Sequence, residues 1–317
     1  MTNRSPLDPA PTASGPSSPR PDDVVVEARG LGVSYAGHEA VRGLDLTVRR
    51  GELFALLGTN GAGKTTTLEV LEGHRRATRG TVRVLGGDPT DRRAVRSRVG
   101  IMLQDSGLAP ELTVRESVRL AGALSGRADD ADRLVGLVGL AARSRTRVAQ
   151  LSGGERRRVD FAMAVWGTPE LVFLDEPTTG LDPSARDDLW AAVGALRADG
   201  VTFLLTTHYL EEAEQHADRI ALMHDGSIRR EGTVAELSGG QGASIAFVPP
   251  VPLDELPLPV ARTENDLVVV ETDDVQGDAG LLLRWAGERG LVLERFATRT
   301  RGLDDIFREL SHGTSQG

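Results

Sequence analysis

The chain has 317 residues, and its 37 lysines and arginines are outnumbered by 46 aspartates and glutamates, which gives a formal net charge of −9. This acidic balance argues against general affinity for DNA, RNA or anionic lipid, because those partners are themselves negatively charged. The absence of cysteine excludes disulfides and thiolate metal sites, and no apolar stretch approaches the length of a membrane span, about 18 residues.

The first segment, residues 1–22, contains six prolines among Ser, Thr and Ala and shows no hydrophobic period, so we predict a disordered leader. No secretory signal is visible, and we expect a soluble intracellular protein. Short β-type runs follow, and the run at 53–57 leads directly into a glycine-rich loop and a helical segment at 64–72. A strand, a glycine turn and a helix N-terminus together form an anion site.

The glycine-rich loop carries the only lysine of the chain, Lys64, whereas 36 other cationic positions hold arginine. The loop fits G-x-x-x-x-G-K-[ST], in which backbone N–H groups surround nucleotide phosphates, the lysine bridges the terminal two and the hydroxyl of Thr65 ligates Mg²⁺. The alternative is a glycine turn with a surface lysine, but the strand before the loop and the helix after it favour the phosphate site. The predicted phosphate-binding residues are Gly58, Thr59, Asn60, Gly61, Ala62, Gly63, Lys64, Thr65 and Thr66.

Two adjacent carboxylates, Asp175 and Glu176, follow the apolar run at 171–174. Ligands of open α/β sheets gather at the carboxyl ends of strands, and consecutive strand residues point to opposite sides. We therefore predict different tasks: Asp175 holds Mg²⁺, directly or through water, and Glu176 polarises the attacking water. Two solvated acids at a strand end are the alternative, and the phosphate loop at Lys64 favours the catalytic interpretation.

The middle of the chain, residues 112–167, has mainly helical character, and its last helix opens at the Ser-Gly-Gly turn at 152–154. Loop glycines before a helix expose a second set of N–H groups suited to an anion. A further helix is predicted between the apolar runs at 171–174 and 201–205, with Asp182 as its N-cap. Continuous apolar strands that alternate with helices indicate a parallel sheet covered on both faces.

The chain becomes Gly-rich and then Pro-rich after residue 238, which predicts a linker into a small terminal domain. From Gln241 onward, 7 arginines stand against 13 acidic residues, so this domain is acidic. Its predicted strands lie at 267–271 and 291–296, and its predicted helices lie at 281–288 and 303–310.

At these motifs the sequence resembles the ATP-binding cassette (ABC) ATPases, over about residues 23–235. It contains, in the family's order, an adenine-stacking aromatic residue, a phosphate loop, a Q-loop glutamine, a signature turn, a Walker B strand, a D-loop and a switch histidine. They lie at Tyr35, 58–65, Gln104, 151–155, 171–176, 180–182 and His208. Two residues depart from the family pattern: Glu155 ends the signature where Gln is most frequent, and Thr59 replaces a frequent Pro.

The resemblance implies an α/β fold of the P-loop NTPase type, the ABC nucleotide-binding domain. This fold has a RecA-like core, an antiparallel β subdomain and an α-helical subdomain, here followed by a small C-terminal α+β domain. We expect the leader at 1–22 to be followed by the ATP-binding domain at 23–238, whose helical subdomain covers about 105–165. The acidic C-terminal domain then occupies 239–317.

The resemblance also implies a head-to-tail homodimer that holds two ATP molecules and Mg²⁺ between its copies. The implied catalytic residues are Glu176, His208 and Gln104, and the implied metal ligands are Thr65, Gln104 and Asp175. Tyr35 is expected to stack on adenine, although an isolated tyrosine more often only packs structurally. The implied contacts to the nucleotide of the opposite copy come from Ser152, Gly153, Gly154 and Asp182.

Less specific stretches resemble the ATP-binding subunits of daunorubicin-resistance-type exporters and of ABC-2 transporters generally. They lie at 68–73, 104–108, 112–116, 206–213 and 303–310. This resemblance implies ATP-driven efflux of a drug-like or hydrophobic compound through a separate ABC-2-type permease, at the cytoplasmic face of the cell membrane. The permease is expected to dock at 104–124, where Glu111, Arg115 and Glu116 carry charge.

Two other functions are compatible with these motifs. The energy subunit of an importer keeps the same site chemistry with a different permease. A non-transport cassette ATPase acting on DNA or the ribosome is disfavoured, because only 87 positions separate Lys64 from Leu151, no heptads occur between them and the chain holds one cassette. We therefore expect no nucleic-acid partner.

We interpret two charged runs as solvated helix faces rather than as binding sites. The run at 156–158 consists of three arginines, and we interpret it as a solvated helix face rather than a nucleic-acid patch. Glu211, Glu212 and Glu214 are likewise interpreted as a solvated helix face rather than as metal ligands.

Overall fold

The computed structural model describes residues 23–300, apart from 36, 92, 105, 106 and 238–242, together with Leu303 and Phe307. The leader predicted at 1–22, the linker residues at 238–242 and most of the helix predicted at 303–310 lie outside the described residues. Throughout the described ranges, each helix is too short or too polar to cross a lipid bilayer.

Strands and helices alternate along much of the chain. The strands are β1 (Val24–Tyr35), β2 (His38–Arg49), β3 (Leu53–Gly58), β4 (Arg79–Val84), β5 (Val99–Met102), β6 (Leu171–Asp175), β7 (Thr202–Thr207), β8 (Arg219–His224), β9 (Ser227–Gly232), β10 (Ala243–Val248), β11 (Arg262–Glu264), β12 (Leu267–Thr272) and β13 (Glu294–Thr300). The α-helices are α1 (Lys64–Leu71), α2 (Val114–Ser125), α3 (Ala131–Leu137), α4 (Gly153–Ala164), α5 (Pro183–Ala198), α6 (Leu210–His216), α7 (Val234–Leu237) and α8 (Val275–Glu288).

A six-stranded sheet with the strand order β5-β6-β7-β3-β8-β9 holds the predicted site. The first five strands run parallel, and β9 pairs antiparallel with β8 at the edge. The strands β3, β6 and β7 are buried along their whole length, as expected for parallel strands covered on both faces. Their carboxyl ends are adjacent, so the residues that follow them meet at one edge of the sheet.

One face of this sheet is covered by an antiparallel sheet of order β2-β1-β4 and by α1. Phe54 and Leu56 of β3 point into the core on this side, together with Phe173 of β6. Leu68 of α1 and Val26 of β1 belong to the same buried cluster. The predicted antiparallel β subdomain is thus present and is packed directly against the strands of the central sheet.

The opposite face of the central sheet is covered by the helices α2 to α6. The strand residues alternate between the two faces, so that Ala55 and Leu57 point to this side, where Val118 of α2 and Phe161 of α4 are buried with them. The helices α2, α3 and α4 lie in the chain between β5 and β6, which confirms the helical character predicted for this stretch.

The C-terminal part forms a separate antiparallel sheet of order β11-β12-β10-β13, which α8 covers. It has a small core of its own, in which Ile245, Phe247, Val268 and Leu282 are buried. The predicted α/β class with antiparallel, helical and terminal α+β parts is therefore confirmed.

Several element boundaries differ from those predicted. Helix α8 begins at Val275 rather than near residue 281, because the side chain of Asp274 accepts a hydrogen bond from the N–H of Gly277 and caps the helix. Strand β9, which the sequence did not indicate, is a polar edge strand that needs only one neighbour. The predicted N-cap of α5 is confirmed, because Asp182 accepts a hydrogen bond from the N–H of Ala185.

Candidate functional site

The predicted phosphate loop lies between the end of β3 at Gly58 and the start of α1 at Lys64. Two of its glycines are required by space, because a Cβ on Gly58 or on Gly63 would lie 2.5 Å from the carbonyl oxygen of Met223 or Ala40, respectively. Gly63 also has a φ of +99°, in the left-handed region that glycine adopts most readily. These two glycines therefore let the loop pack directly against the neighbouring backbone.

Lys64 is a buried cation, with 6% of its surface exposed. Its Nζ donates hydrogen bonds to the carbonyl oxygens of Gly58 (2.8 Å) and Thr59 (3.2 Å). Thr59, which stands where the family often has Pro, therefore contributes its backbone carbonyl to the lysine. Burial lowers the pKa of the ammonium group, and the nearby carboxylates of Glu176 and Asp175 raise it in opposition. A buried ammonium held by neutral carbonyl groups is suited to a charged phosphate oxygen.

Asp175 ends β6 and is buried beside the phosphate loop. Its carboxylate accepts a hydrogen bond from the hydroxyl group of Thr206, and the nearby hydroxyl of Thr65 lowers its pKa. Burial raises the pKa of Asp175, and the Thr206 hydroxyl opposes this rise. The structure thus brings together the carboxylate and the hydroxyl that the sequence predicts as Mg²⁺ ligands.

The donor set fits magnesium held jointly by protein and substrate. Mg²⁺ is commonly bound by one or two carboxylates together with phosphate oxygens and water. Among the described residues, no cluster of three or more acidic or histidine side chains could hold a metal alone. A metal at Asp175 and Thr65 would therefore draw its remaining ligands from nucleotide phosphates and water.

Glu176 and His208 form the second pair of the site. Nδ1 of His208 lies 3.1 Å from Oε1 of Glu176, and the hydroxyl of Thr179 donates to Oε2 at 3.3 Å. Glu176 has a φ of +46°, which is uncommon for a residue other than glycine. Its N–H donates to the carbonyl oxygen of Thr206 at 3.1 Å, so the neighbouring strand β7 helps to hold this backbone.

Nine of the predicted residues line a cavity of about 320 Å³, whereas Asp175 and Tyr35 do not belong to its described lining. Its lining consists of Ala40, Asn60, Gly61, Gly63, Lys64, Thr65, Thr66, Gln104, Glu176 and His208. A cation, an acid, an amide and an imidazole therefore face the same space. A larger cavity of about 680 Å³, along β1 and β4, contains none of the predicted catalytic or phosphate-binding side chains.

Tyr35, the predicted adenine platform, lies beside the first turn of α1. Its hydroxyl is 3.3 Å from Oγ1 of Thr66 and 3.4 Å from Oε2 of Glu69. The guanidinium of Arg75 lies over the ring, 4.4 Å from the centroid, and forms an ion pair with Glu69 at 2.7 Å. One ring face is thus covered, and stacking of adenine on Tyr35 stays a prediction for the other face.

The signature turn forms the N-terminus of α4. Ser152 is the N-cap: its Oγ accepts from the N–H of Glu155 at 3.1 Å, and Oε2 of Glu155 accepts from the N–H of Ser152 at 2.8 Å. Oε1 of Glu155 lies 3.2 Å from Nε of Arg143. The hydrogen bond from the Ser152 backbone lowers the pKa of Glu155, and Arg143 acts in the same direction. The unusual acid therefore caps its own helix and has a cationic partner.

The residues expected to reach the nucleotide of another copy do not line the cavity of their own chain. Ser152, Gly153, Gly154 and Asp182 are absent from its described lining. Gly154 packs next to Leu181, so the signature turn and the D-loop are neighbours.

The interpretation of residues 156–158 as a solvated face is wrong for Arg157, which is 7% exposed. Its guanidinium donates to backbone carbonyl groups of the Q-loop and of the Walker B segment. The sequence signal is helical spacing, because Arg157 lies three residues after Gly154 and four before Phe161, which are both buried. Arg158 also has a partner, since it pairs with Asp188 at 2.9 Å.

The interpretation of the acids of α6 as a solvated face is wrong for Glu212. This side chain is buried, accepts a hydrogen bond from the hydroxyl of Thr178 at 2.6 Å and pairs with Arg186 at 3.2 Å. Burial raises its pKa, against the influence of Thr178 and Arg186. Glu214 accepts a hydrogen bond from the N–H of Leu303 at 2.8 Å. Glu212 and Glu214 therefore both have structural partners. Those of Glu212 flank the D-loop, and that of Glu214 is Leu303.

Comparisons with known proteins agree with this geometry. The sequence profile of the ABC transporter family matches residues 41–179. The profile of the C-terminal domain of ABC transporter domain-containing protein-like sequences matches residues 243–301. The first match covers the phosphate loop, the signature turn and the Walker B strand, and the second covers the separate terminal sheet.

Characterised relatives align along much of the chain. It is 39% identical to the daunorubicin resistance ATP-binding protein DrrA3 of Streptomyces coeruleorubidus, over 91% of this chain and 96% of that protein. It is 42% identical to the daunorubicin/doxorubicin resistance ATP-binding protein DrrA of Streptomyces peucetius, over 69% of this chain and 68% of that protein. It is 41% identical to the Nod factor export ATP-binding protein I of Paraburkholderia xenovorans LB400, over 88% and 94%.

Solved structures show the same fold. An ATP-binding subunit of an ABC transporter superposes with a TM-score of 0.63 at 30% identity, covering 68% of this chain and 92% of that structure. A dimeric ATP-binding cassette in a post-hydrolysis state with ADP and phosphate superposes with a TM-score of 0.61 at 25% identity, covering 66% and 98%. Relatives at 39% and 41% identity match along nearly their whole length, so the chain belongs to the ATP-binding subunits of ABC transporters, a family of ATP-hydrolysing transport ATPases.

Proposed function

We propose that this chain is the ATP-hydrolysing subunit of an exporter, which expels a drug-like or hydrophobic compound through a separate ABC-2-type permease at the cytoplasmic face of the cell membrane. The observation that carries the proposal is the alignment of 91% of the chain with a daunorubicin resistance protein. A Nod factor export protein aligns over 88% of the chain, which also supports export rather than import. We further propose a division into an ATP-binding domain at 23–238 and an acidic domain at 239–317, supported by their separate sheets, with Leu303 and Phe307 of the acidic domain packed back against the ATP-binding core.

Two copies of the chain are proposed to bind two ATP molecules head to tail. The support is that the signature turn at 152–154 does not line the described cavity of its own chain, although its helix N-terminus is suited to an anion. A related cassette with ADP and phosphate is dimeric. Ser152, Gly153, Gly154 and Asp182 would then complete the site of the opposite copy.

Within one copy, Lys64 and the backbone of the phosphate loop bind the β- and γ-phosphates. Thr65, Gln104 and Asp175 are proposed to hold Mg²⁺, which neutralises phosphate charge when bound. Glu176 orients and polarises the attacking water, and His208 fixes the Glu176 carboxylate through the 3.1 Å contact. Closure of the dimer around ATP and its reopening after hydrolysis would supply the transport stroke.

The proposed docking face for the permease surrounds α2. Leu120 is half exposed and Leu124 is 81% exposed on this helix, and the nearby Leu103 is also exposed. Two of the three charges expected to mark this face have structural roles: Glu116 forms a capping box with Thr113, and Arg115 pairs with Asp132 at 2.6 Å. The apolar side chains are therefore better probes of docking than the charged ones.

An efflux assay in inverted membrane vesicles that contain the chain and its permease tests the proposal. Glu176→Gln should retain ATP binding, lose about 10²- to 10⁴-fold in hydrolysis and abolish transport, because the water loses its base. Leu124→Asp should keep the ATPase activity of the isolated subunit but lose transport and co-purification with the permease.

Leu283→Asp is the matched control, because Leu283 is 54% exposed on α8, in the other domain. ATP-driven uptake instead of efflux would favour the energy subunit of an importer. Unchanged co-purification and transport in Leu124→Asp would contradict the docking face, and normal hydrolysis in Glu176→Gln would contradict the catalytic assignment.

A further inference from the structure

Arg157, on the second turn of α4, is the most highly connected side chain near the proposed site. Its Nε donates to the carbonyl oxygen of Pro177 at 3.2 Å. Its Nη1 donates to the carbonyl oxygens of Leu103 at 2.5 Å and Gln104 at 2.9 Å. Its Nη2 donates to those of Asp175 at 2.6 Å and Glu176 at 2.9 Å. One side chain thus joins the signature helix to two other loops of the site.

These contacts use the full donor capacity of the group. A guanidinium has five N–H bonds in a fixed planar fork, and the structure provides five carbonyl acceptors for them. A lysine at this position has three donors on one nitrogen and cannot span two loops in the same way. The contact set therefore depends on the shape of the side chain as well as on its charge.

The geometry of Glu176 shows what Arg157 stabilises. The φ of +46° at Glu176 is strained for a residue with a side chain and persists only where the surroundings hold it. Thr206 holds the N–H of Glu176 from β7, and Arg157 holds its carbonyl oxygen from α4. The direction of the Glu176 carboxylate towards His208 follows from this backbone conformation.

We propose that Arg157 is a positioning residue that fixes Glu176 and Gln104 relative to the signature helix. This proposal rests on the proposed function, in which Ser152 at the start of α4 contacts the nucleotide of the opposite copy. A shift of α4 as the signature turn engages that nucleotide would be transmitted by Arg157 to the Q-loop and to the catalytic acid of its own site. Each site would then hydrolyse ATP only when the signature helix of the same chain contacts the nucleotide of the opposite copy.

The test compares steady-state ATP hydrolysis and nucleotide affinity in Arg157→Lys with those of the wild type. Hydrolysis should fall about 100-fold, the loss expected when a catalytic group is displaced by about 1 Å. The dissociation constant for ATP should change by less than about twofold, because Lys64 and the phosphate loop lie outside the contacts of Arg157. This separation of turnover from binding distinguishes positioning from a general role in folding.

Arg156→Lys is the matched control, since this neighbouring half-buried arginine undergoes the same exchange and has no described contact with the Q-loop or Walker B segment. It should hydrolyse ATP at the wild-type rate. Arg157→Gln is a second variant, which removes the positive charge from among the carbonyl groups as well as the guanidinium fork. It should also lose turnover and keep affinity.

The outcomes separate the inference from the proposed function. Absence of hydrolysis in both the wild type and Arg156→Lys would contradict ATP-driven export itself. Wild-type turnover in Arg157→Lys, beside an active control, would overturn only the positioning role. Parallel loss of turnover and ATP affinity in both Arg157 variants, or failure of both to fold, would assign Arg157 to folding and also overturn the inference.

Discussion

Glu72, at the end of α1, is a carboxyl group in a nearly water-free position. It is buried, and its Oε2 lies 3.1 Å from Nδ1 of His74, whereas its Oε1 has no hydrogen-bond partner among the described residues. The pKa of Glu72 is raised from 4.5 to about 8, mainly by burial and also by the nearby charges of Asp175 and Glu69, while Arg96 opposes the rise. The carboxyl group is therefore largely protonated in the folded protein at neutral pH.

We expect Glu72→Gln to remove a pH dependence of stability. Between pH 4.5 and about 8 the folded protein binds a proton at Glu72 that the unfolded chain has released. The free energy of unfolding of the wild type should therefore fall as the pH rises through this window, by up to about 1.4 kcal/mol per pH unit. Glutamine stays neutral in both states, so the profile of the variant should be flatter.

Urea unfolding of the wild type and of Glu72→Gln at pH 6, 7 and 8 measures this difference. Glu111→Gln makes the same chemical change at an exposed position and should follow the wild-type profile. A constant difference between Glu72→Gln and the wild type at all three pH values would contradict a protonated Glu72 in the folded state.

Short sequence motifs specify the chemistry of the predicted site residues. Lys64, Glu176 and His208 fall in motifs of fixed order, and the structure places all three around one cavity. Arg157 and Glu212 escaped prediction, because their roles depend on burial by distant segments rather than on neighbours in the chain. Charge alone indicates a solvated face; for Arg157 the helical spacing from Gly154 and Phe161 indicates a buried face, whereas for Glu212 the tertiary contacts reverse the interpretation.

At the scale of elements, the N-terminus of α4 combines a helix cap with the proposed contact to a partner nucleotide. Glu155 and Ser152 exchange two hydrogen bonds, and Arg143 neutralises the added acid. Glutamine retains the capping acceptor, so Glu155 differs from the more frequent residue mainly in its charge. Arg143 should then matter only because Glu155 is an acid.

We expect Arg143→Gln to weaken the ATP-driven formation of dimers and Glu155→Gln to restore it in the double variant. The uncompensated carboxylate would repel the phosphates, and an exposed ion pair contributes at most about 1 kcal/mol, or about fivefold in the half-saturating ATP concentration. Titration of ATP in a Glu176→Gln background, followed by size-exclusion chromatography, measures the shift.

Arg262→Gln removes the exposed pair with Glu271 in the terminal sheet and should have no effect. Equal affinity in Arg143→Gln and the parent would refute the compensation.

Secondary structure was predictable where an element carries its own signal. The apolar strand β6 and the capped helix α5 have such signals, and both form as expected. Strand β13, at Glu294–Thr300, was placed too early because its polar residues gain their partner from β10 far away in the chain. Edge strands of this kind depend on pairing, so their own residues indicate them weakly.

At the scale of the whole molecule, the end of the chain returns to the ATP-binding part. Leu303 is fully buried in the same cluster as the helix-covered face of the central sheet, and Phe307 packs against that cluster. The N–H of Leu303 donates to Glu214 of α6, the helix that follows His208. The terminal segment thus contributes directly to the core of the nucleotide-binding part.

We expect Leu303→Ala to lower the free energy of unfolding by about 2–5 kcal/mol, the range for removing a buried leucine side chain from a packed core. Urea unfolding followed by tryptophan fluorescence is a suitable measurement, because Trp190, one of the three tryptophans, stacks on His216 at the end of α6 with ring centroids 4.1 Å apart. Leu283→Ala removes the same atoms from an exposed position and should change stability by less than about 0.5 kcal/mol. If Leu303→Ala proved as mild as Leu283→Ala, the terminal segment would contribute nothing to the ATP-binding core. A loss confined to Leu303→Ala would instead show that the terminal segment stabilises the ATP-binding core.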